Sequence, residues 1–174
     1  MIDIETLGTR PGSVILSAGL VYDDVVNGRQ RLEVFFNINE QLALGLKIDQ
    51  STMQWWMNQS EEAKKIFSRI PGNPSPNRMN LQNILDFFPD KEKTLVFAYG
   101  ATFDGPLLDV LFQAYGIQVP WSYRNFLCFR TLKEMYPKQE VECKGTKHSA
   151  LDDAEYQLEY LQKLQKQYNI TFRG

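Results

Sequence analysis

The stretch Met1-Ile2-Asp3-Ile4-Glu5-Thr6 opens the chain and alternates apolar with acidic side chains. On a β-strand this alternation places Ile2 and Ile4 on one face and the carboxylates of Asp3 and Glu5 on the other. Carboxylate oxygens suit hard cations such as Mg²⁺ and Mn²⁺, and burying two acids without a cation is costly. The pattern predicts half of a metal site, although Asp-x-Glu also occurs on ordinary solvated edge strands.

A further acid, Asp104, follows an apolar run at residues 94–98 and the turn Tyr99-Gly100-Ala101-Thr102-Phe103. A helical pattern begins directly after it, so Asp104 falls where a strand gives way to a helix. Gly100 allows a tight turn, and Pro106 is tolerated in the first turn of a helix. The structural alternative is that Asp104 only caps this helix or interacts with its dipole.

The third acidic stretch, Lys147-His148-Ser149-Ala150-Leu151-Asp152-Asp153-Ala154, contains the single histidine of the chain. Helical positions five apart point about 140° away from each other, so His148 and Asp153 cannot share a helical face. They converge if His148 lies just before the helix and Ser149 caps it. A histidine beside acids is the usual proton carrier near neutral pH.

Periodicity separates the two neighbouring acids of this stretch. Asp153 borders the apolar stripe of the helix, which predicts a carboxylate held at the edge of the core. Asp152 lies on the opposite side and is predicted to be solvated. The stripe consists of Leu151, Ala154, Leu158 and Leu161.

These three motifs, in this order, resemble those of the DEDDh (DnaQ-like) 3′-5′ exonuclease superfamily. Asp3-Ile4-Glu5-Thr6 is similar to the first motif, Phe103-Asp104 to the second, and His148 through Asp153 to the third. The tryptophan pair in residues 52–60 resembles the phage DexA-like and Rv2179c-like branch. The chain departs from many relatives in lacking an asparagine just before the second-motif acid, and only two residues precede Asp3.

The resemblance implies an α/β ribonuclease H-like fold and a metal-dependent 3′-5′ exonuclease. Such an enzyme hydrolyses single-stranded DNA or RNA from the 3′ end and releases nucleoside 5′-monophosphates by a two-metal-ion mechanism. Two Mg²⁺ or Mn²⁺ ions would be held by Asp3, Glu5, Asp104 and Asp153. His148 would take the proton from the attacking water. Relatives often form dimers, which leaves a homodimer open.

Restriction to strand ends requires a wall for the last nucleotide. Thr6, Leu7 and Phe103 flank the acids and are predicted to contact it, and Trp55 and Trp56 are candidates for stacking on a base. Adjacent helical residues point about 100° apart, so at most one tryptophan faces a given groove and the other belongs to the core. Arg130 is a candidate phosphate ligand, with an exposed or salt-bridged arginine as the alternative.

Composition agrees with a single soluble domain, which is predicted to span residues 1–174. The chain is 43% hydrophobic and has a formal net charge of −2, which does not favour nucleic acid until two divalent cations are added to the acids. It contains neither an apolar run that could span a bilayer nor a signal peptide, so no membrane partner is expected. Cys128 and Cys143 lie at neither metal nor redox spacing, which favours a reducing cytoplasm.

The predicted architecture is a mixed central sheet with helices on both faces. It opens as an antiparallel three-stranded meander, with strands at residues 13–22 and 31–37 joined by an Asn27-Gly28 turn. Helices are predicted at residues 51–58, 61–69, 104–115 and from 149 onward, and Asn80 is predicted to cap another. Residues 71–76 are predicted to form a loop, residues 125–129 a strand and residues 131–136 a short helix.

Three other functions use similar residues. A two-carboxylate glycosidase needs no histidine and does not explain three ordered motifs. A catalytically silent nucleic-acid-binding module would lack one or more of the acids, all of which are present. A ribonuclease H-type endonuclease stays open and is distinguished by its ability to cut a closed circle.

Overall fold

The computed structural model describes residues 1–70, 75–88, 90 and 92–172. The loop predicted at residues 71–76 lies largely outside the described residues. Within these residues there are five β-strands in chain order: β1 (Ile2–Thr6), β2 (Ile15–Asp24), β3 (Gly28–Phe35), β4 (Val96–Ala98) and β5 (Phe126–Cys128).

Eight α-helices accompany these strands within the described part of the chain, with one 3₁₀ turn at Tyr123–Asn125. They are α1 (Ile38–Ala43), α2 (Gln50–Met57), α3 (Glu61–Lys64), α4 (Ile66–Arg69), α5 (Asn77–Phe87), α6 (Asp104–Ala114), α7 (Phe129–Glu134) and α8 (Ala150–Tyr168).

The predicted antiparallel meander is present. β2 pairs with β1 on one side and with β3 on the other. The hairpin between β2 and β3 turns at residues 25–27, and Gly28 has a positive φ of 69°, which a glycine adopts at little cost. β2 and β3 each begin and end two or three residues away from the predicted positions.

β4 and β5 form a separate parallel pair, in which Phe97 lies opposite Leu127. β1 lies beside β4, so the two sheets are neighbours. The prediction of one continuous mixed sheet is therefore not met in the hydrogen bonding of the described residues, which form two sheets. The predicted combination of antiparallel strands, parallel strands and helices is present.

Helices cover both faces of the meander, as predicted. α5 and α6 pack on the face that carries Ile2 and Ile4, where they enclose the main core. α8 packs on the other face, against β1, β2 and β3. Gly19 of β2 permits this approach, because a Cβ there would lie 2.3 Å from the carbonyl carbon of Ala150. The face that receives α8 also carries the carboxylates of β1.

Three local predictions need correction. The helix predicted at residues 61–69 is divided at Lys65 into α3 and α4, and the Lys65 N–H donates to the Glu62 carbonyl three residues earlier, at 3.2 Å. Asn80 is not a helix cap, since α5 begins three residues earlier and the Asn80 amide donates to the Phe35 carbonyl. α1 was not predicted.

Candidate active site

The carboxylates of Asp3 and Glu5 project from the face of β1 that α8 covers. Glu5 is 7% exposed and Asp3 is half-buried. In the ladder with β2, Asp3 lies opposite Gly19 and Glu5 opposite Ser17, so small side chains leave room above the carboxylates. The alternation of β1 therefore determines which face of the sheet carries the acids.

Asp104 is the first residue of α6 and is 3% exposed. Phe103 occupies the capping position instead, so Asp104 is not the helix cap that the structural alternative proposed. Burial raises the pKa of Asp104 to about 7, and the nearby backbone N–H groups of Asp104 itself and of Ile4 oppose this rise. α6 contacts β1, so Asp104 lies beside the strand that carries the other acids.

His148 lies immediately before α8, where the sequence predicted it. Its φ is 64°, a left-handed conformation uncommon outside glycine, and its backbone N–H donates to the Asp153 carboxylate at 3.0 Å. Ser149 is at the capping position, but its hydroxyl makes no capping hydrogen bond. The turn at His148 thus lets a pre-helical residue reach an acid five positions later in the chain.

Side chains from β1 and from the start of α8 converge at one point. One ligand atom each from Glu5, His148 and Asp153 lie within 4.8 Å of one another. Burial first, and then the charges of Asp153 and Asp104, raise the pKa of Glu5 to about 8. Burial and the charges of Asp104, Glu5 and Asp153 raise the pKa of Asp3 well above its usual range. All four predicted acids therefore share one electrostatic environment.

This donor set fits divalent cations. Carboxylate oxygens and an imidazole are ordinary ligands for hard or intermediate metal ions. Like charges gathered in a partly buried cluster are unfavourable unless protons or cations neutralise them, and the raised pKa values of Asp3 and Glu5 reflect both this repulsion and their burial. The acids Asp3, Glu5, Asp104 and Asp153 are thus suited to hold Mg²⁺ or Mn²⁺.

A cleft of about 430 Å³ opens beside the acids. It is lined by Ile4, Glu5, Thr6, Thr9, Ser51, Thr52, Trp55 and Phe103. Three of the predicted substrate-binding residues, Thr6, Trp55 and Phe103, are therefore at the cleft. The indole of Trp55 is 43% exposed and also contacts the His148 ring edge to face, with centroids 4.9 Å apart.

Two of the predicted substrate-binding residues lie in the core instead. Leu7 is 1% exposed and packs beneath the site. Trp56 is completely buried, and its indole N–H donates to the Thr6 carbonyl at 2.8 Å. Neither side chain reaches the cleft. Adjacent helical residues point about 100° apart, so Trp56 faces the core while Trp55 faces the cleft. Trp56 supports the end of β1 from behind.

Gln157 was missed by the sequence analysis. It lies one turn after Asp153 on α8, is 7% exposed, and donates its amide to the Asp3 carboxylate at 2.8 Å. Its carbonyl oxygen makes no hydrogen bond within the described residues. The spacing of four residues from Asp153 was the signal in the sequence, since it places both side chains on one face.

Asp152 is not the solvated residue that was predicted. It is half-buried, and its carboxylate accepts the Thr146 N–H at 2.8 Å. A Cβ at Gly145 would meet the carboxylate carbon of Asp152 at 2.4 Å, so the loop before α8 folds tightly over this acid. Asp152 shapes the segment that positions His148.

In this α/β domain, acids from a strand, a strand-to-helix junction and a helix lie together beside a histidine. This arrangement defines the class of the protein as a candidate metal-assisted hydrolase. The model of the Rv2179c-like 3′-5′ exoribonuclease domain matches residues 1–165, and the chain belongs to this family. Family membership makes it a 3′-5′ exonuclease, a hydrolytic nuclease that acts on nucleic acid.

Comparison with curated proteins gave no match to the chain. Among the described residues, none of the helices has the length and apolar content needed to cross a bilayer.

Proposed function

We propose that this protein is a DEDDh-type, divalent-metal-dependent exonuclease with a ribonuclease H-like fold. It removes nucleotides from the 3′ end of single-stranded nucleic acid, with RNA as the preferred strand, and releases nucleoside 5′-monophosphates. The preference for RNA comes from the description of the matching family. The ligands of two Mg²⁺ or Mn²⁺ ions are Asp3, Glu5, Asp104 and Asp153.

One observation carries this proposal: carboxylate oxygens of Glu5 and Asp153 and an imidazole nitrogen of His148 lie within 4.8 Å of one another, although more than a hundred residues of chain separate Glu5 from the other two. The neighbouring acids Asp3 and Asp104 belong to the same charged environment. The antiparallel meander, followed by parallel strands and helices on both faces, agrees with a ribonuclease H-like arrangement.

When bound, two divalent cations stabilise negative charge on the attacking and leaving oxygens of a phosphodiester. The chain's own residues supply orientation and proton transfer. The His148 imidazole accepts a proton from the attacking water, whose oxygen forms the new bond to phosphorus. The bond from phosphorus to the 3′ oxygen of the shortened strand then breaks. The terminal nucleotide departs with its 5′-phosphate.

Two contacts hold the proton acceptor in place. The hydrogen bond from the His148 N–H to Asp153 fixes the backbone of the histidine beside its acid. The exposed indole of Trp55 packs edge to face against the imidazole and limits its rotation. Trp55 and Phe103 offer aromatic surface within the cleft for a terminal base, a contact that tolerates any base.

The test is digestion of matched single-stranded RNA and DNA oligomers that carry a 5′ label, with Mg²⁺ and Mn²⁺ compared. The proposal expects a ladder that shortens stepwise from the 3′ end, with RNA degraded faster than DNA. A 3′-terminal phosphate should slow the reaction, and the released product should co-migrate with nucleoside 5′-monophosphates. Equal rates on both strands would remove the RNA preference alone.

Two alternatives predict different results in the same assay. A ribonuclease H-type endonuclease would cut a closed circle rapidly, whereas the proposed enzyme leaves it intact. A catalytically silent module would bind the strand without shortening it, and calorimetry would detect no binding of Mn²⁺.

A further inference from the structure

Arg130 covers the turn that leads into Asp104. It is an exposed residue of α7, and its guanidinium lies 4.8 Å from the centre of the Tyr99 ring. One of its nitrogens donates to the Tyr99 carbonyl at 3.2 Å. A Cβ at Gly100 would lie 3.3 Å from the same nitrogen, so only a residue without a side chain leaves this space free. The contacts with Tyr99 hold the guanidinium in a defined place.

The charge of Arg130 is not neutralised by an acid within 4 Å in the part of the chain that the structure describes. Its positive charge lowers the pKa of Asp104, which places it within electrostatic range of the acids. A guanidinium has five N–H donors, and the contact with Tyr99 uses one nitrogen.

Lys133, one turn further along α7, adds a second positive charge. Its ammonium lies 4.8 Å from the Tyr160 ring centre and 5.2 Å from that of Tyr99. The tyrosine rings stabilise both cations without neutralising them. Two positive charges thus lie against the Tyr99 ring in a protein whose formal net charge is −2.

We propose that Arg130 binds a backbone phosphate of the substrate strand, other than the one that is cleaved, beside Asp104. This inference rests on the proposed function, since it assigns a further contact to the same substrate. Phe103 lines the cleft and adjoins Gly100, so a strand whose last nucleotide occupies the cleft passes next to Arg130. The planar fork of arginine matches the geometry of phosphate oxygens. Lys133 contributes attraction at longer range.

Arg124 provides a matched control. It too is an exposed arginine stacked on a tyrosine, with its guanidinium 5.6 Å from the centre of the Tyr123 ring. It precedes β5, whereas Arg130 follows that strand, so the two arginines lie at opposite ends of β5. Arg130→Gln and Arg124→Gln remove the same charge from the protein and alter its total charge equally.

The experiment measures binding of a 5′-fluorescein single-stranded RNA of about eight nucleotides, within the usual site size, by anisotropy in Ca²⁺ at several salt concentrations. Arg130→Gln should weaken binding about 10-fold or more, because a charge-assisted hydrogen bond is lost. The slope of log affinity against log salt should fall by about 0.7, the value for one phosphate contact on a single strand. Arg124→Gln should match the wild type, and Arg130→Lys should restore the slope but only part of the affinity.

Hydrolysis of a dinucleotide shows whether Arg130 contacts the cleaved phosphate or another phosphate of the strand. A dinucleotide contains a single phosphodiester, the one that is cleaved. On it Arg130→Gln should lose only what its charge near Asp104 contributes, a much smaller loss than the rise of its KM for the longer strand. Equal loss on both substrates would assign Arg130 to the cleaved phosphate and overturn the proposal. Binding by Arg130→Gln that equals that of Arg124→Gln would also overturn it. A wild type that binds the strand without shortening it refutes the proposed function instead, and the anisotropy measurements still decide the role of Arg130.

Discussion

The carboxylates of Asp3, Glu5, Asp104 and Asp153 lie close together. Burial is the largest cause of the raised pKa of each of these acids, and repulsion by the other acids of the group adds to it for Asp3 and Glu5. The negative charge of each acid therefore destabilises the folded protein without metal, yet the same charge is needed to bind a cation. Substitutions that remove one charge should separate the effect on stability from the effect on metal binding.

Asp3→Asn removes a negative charge but retains an oxygen that can accept the amide of Gln157. We expect hydrolysis to be nearly abolished while the metal-free protein becomes more stable, because burial and repulsion by the neighbouring acids no longer act on a charge at this position. In a domain of this size each kcal/mol gained raises Tm by about 2–4 °C. Thermal denaturation in EDTA at pH 8 and the ladder assay measure the two effects. Full activity in this variant would refute the assignment of Asp3.

His148→Ala tests proton transfer. The rate should fall by about 10²- to 10⁴-fold, which is typical of a positioned general base. Mn²⁺ affinity, measured by calorimetry, should change little, since the proposed ligands are the four acids. Near-normal turnover at saturating Mg²⁺ would exclude His148 as the base. Loss of metal binding together with activity would make it a ligand instead.

Gln157→Leu tests the residue that holds Asp3. The variant removes the hydrogen bond to Asp3 and also an amide oxygen that is buried without a partner in the described residues. We expect weaker Mn²⁺ binding, within the 10- to 100-fold typical of outer-shell partners, together with a Tm close to that of the wild type. Gln157→Glu should not rescue binding, because a fifth carboxylate adds repulsion. Unchanged Mn²⁺ affinity in Gln157→Leu would show that Asp3 needs no such support.

At the scale of whole elements, the approach of α8 to β2 assembles the site. β1 supplies two acids, and the first turn of α8 supplies Asp153 and follows His148. Gly19 determines how closely the helix approaches, since a Cβ there would lie 2.3 Å from the Leu151 nitrogen. The atoms that this Cβ would meet belong to the backbone of α8, which cannot move aside as a flexible side chain can.

Gly19→Ala should push the start of α8 away from the sheet. We expect a destabilisation of about 1–3 kcal/mol, the usual cost of overpacking, and a larger proportional loss of activity than of folded protein. Ser17→Ala on the same strand is the control, because the Ser17 hydroxyl is buried without a partner in the described residues and its removal should be close to neutral. Circular dichroism and the ladder assay at equal folded fraction measure the difference. Equal activity in both variants would show that the site tolerates a displaced α8.

For the whole molecule, stability should depend on pH in a direction set by the acids. The pKa of Glu5 is raised to about 8 and that of Asp104 to about 7, whereas both titrate near 4 in an unfolded chain. Between these values the folded state binds more protons than the unfolded state, so stability falls as pH rises. In EDTA, Tm should therefore decrease from pH 5 to pH 8.5.

Metal ions should reverse this trend. Ligands must lose their protons to bind a cation, so the Tm increase produced by saturating Mg²⁺ or Mn²⁺ should grow with pH over the same range. The Asp3→Asn variant should show a smaller increase. A stabilisation by Mn²⁺ that is independent of pH would indicate that the cation binds elsewhere.

Local sequence patterns determined much of this protein. The period of two in residues 1–6 placed two acids on one face, and the strand-to-helix change at Asp104 located the third. The helical stripe identified Asp153, and the angle between positions five apart required His148 to lie before α8. The structure brings these side chains together, as the patterns predicted, because each placement depends on neighbours within one or two turns of the chain, and their roles as ligands and general base stay proposals.

Tertiary structure alone decided the rest. The role of Asn80 in holding β3 and the burial of Leu7 and Trp56 follow from contacts between distant segments. Asp152 and Gln157 looked like ordinary polar residues of a helix, yet one closes a loop and the other holds Asp3. Periodicity gives the direction of a side chain from its own element but not what another element places opposite it, because that depends on packing across the whole chain.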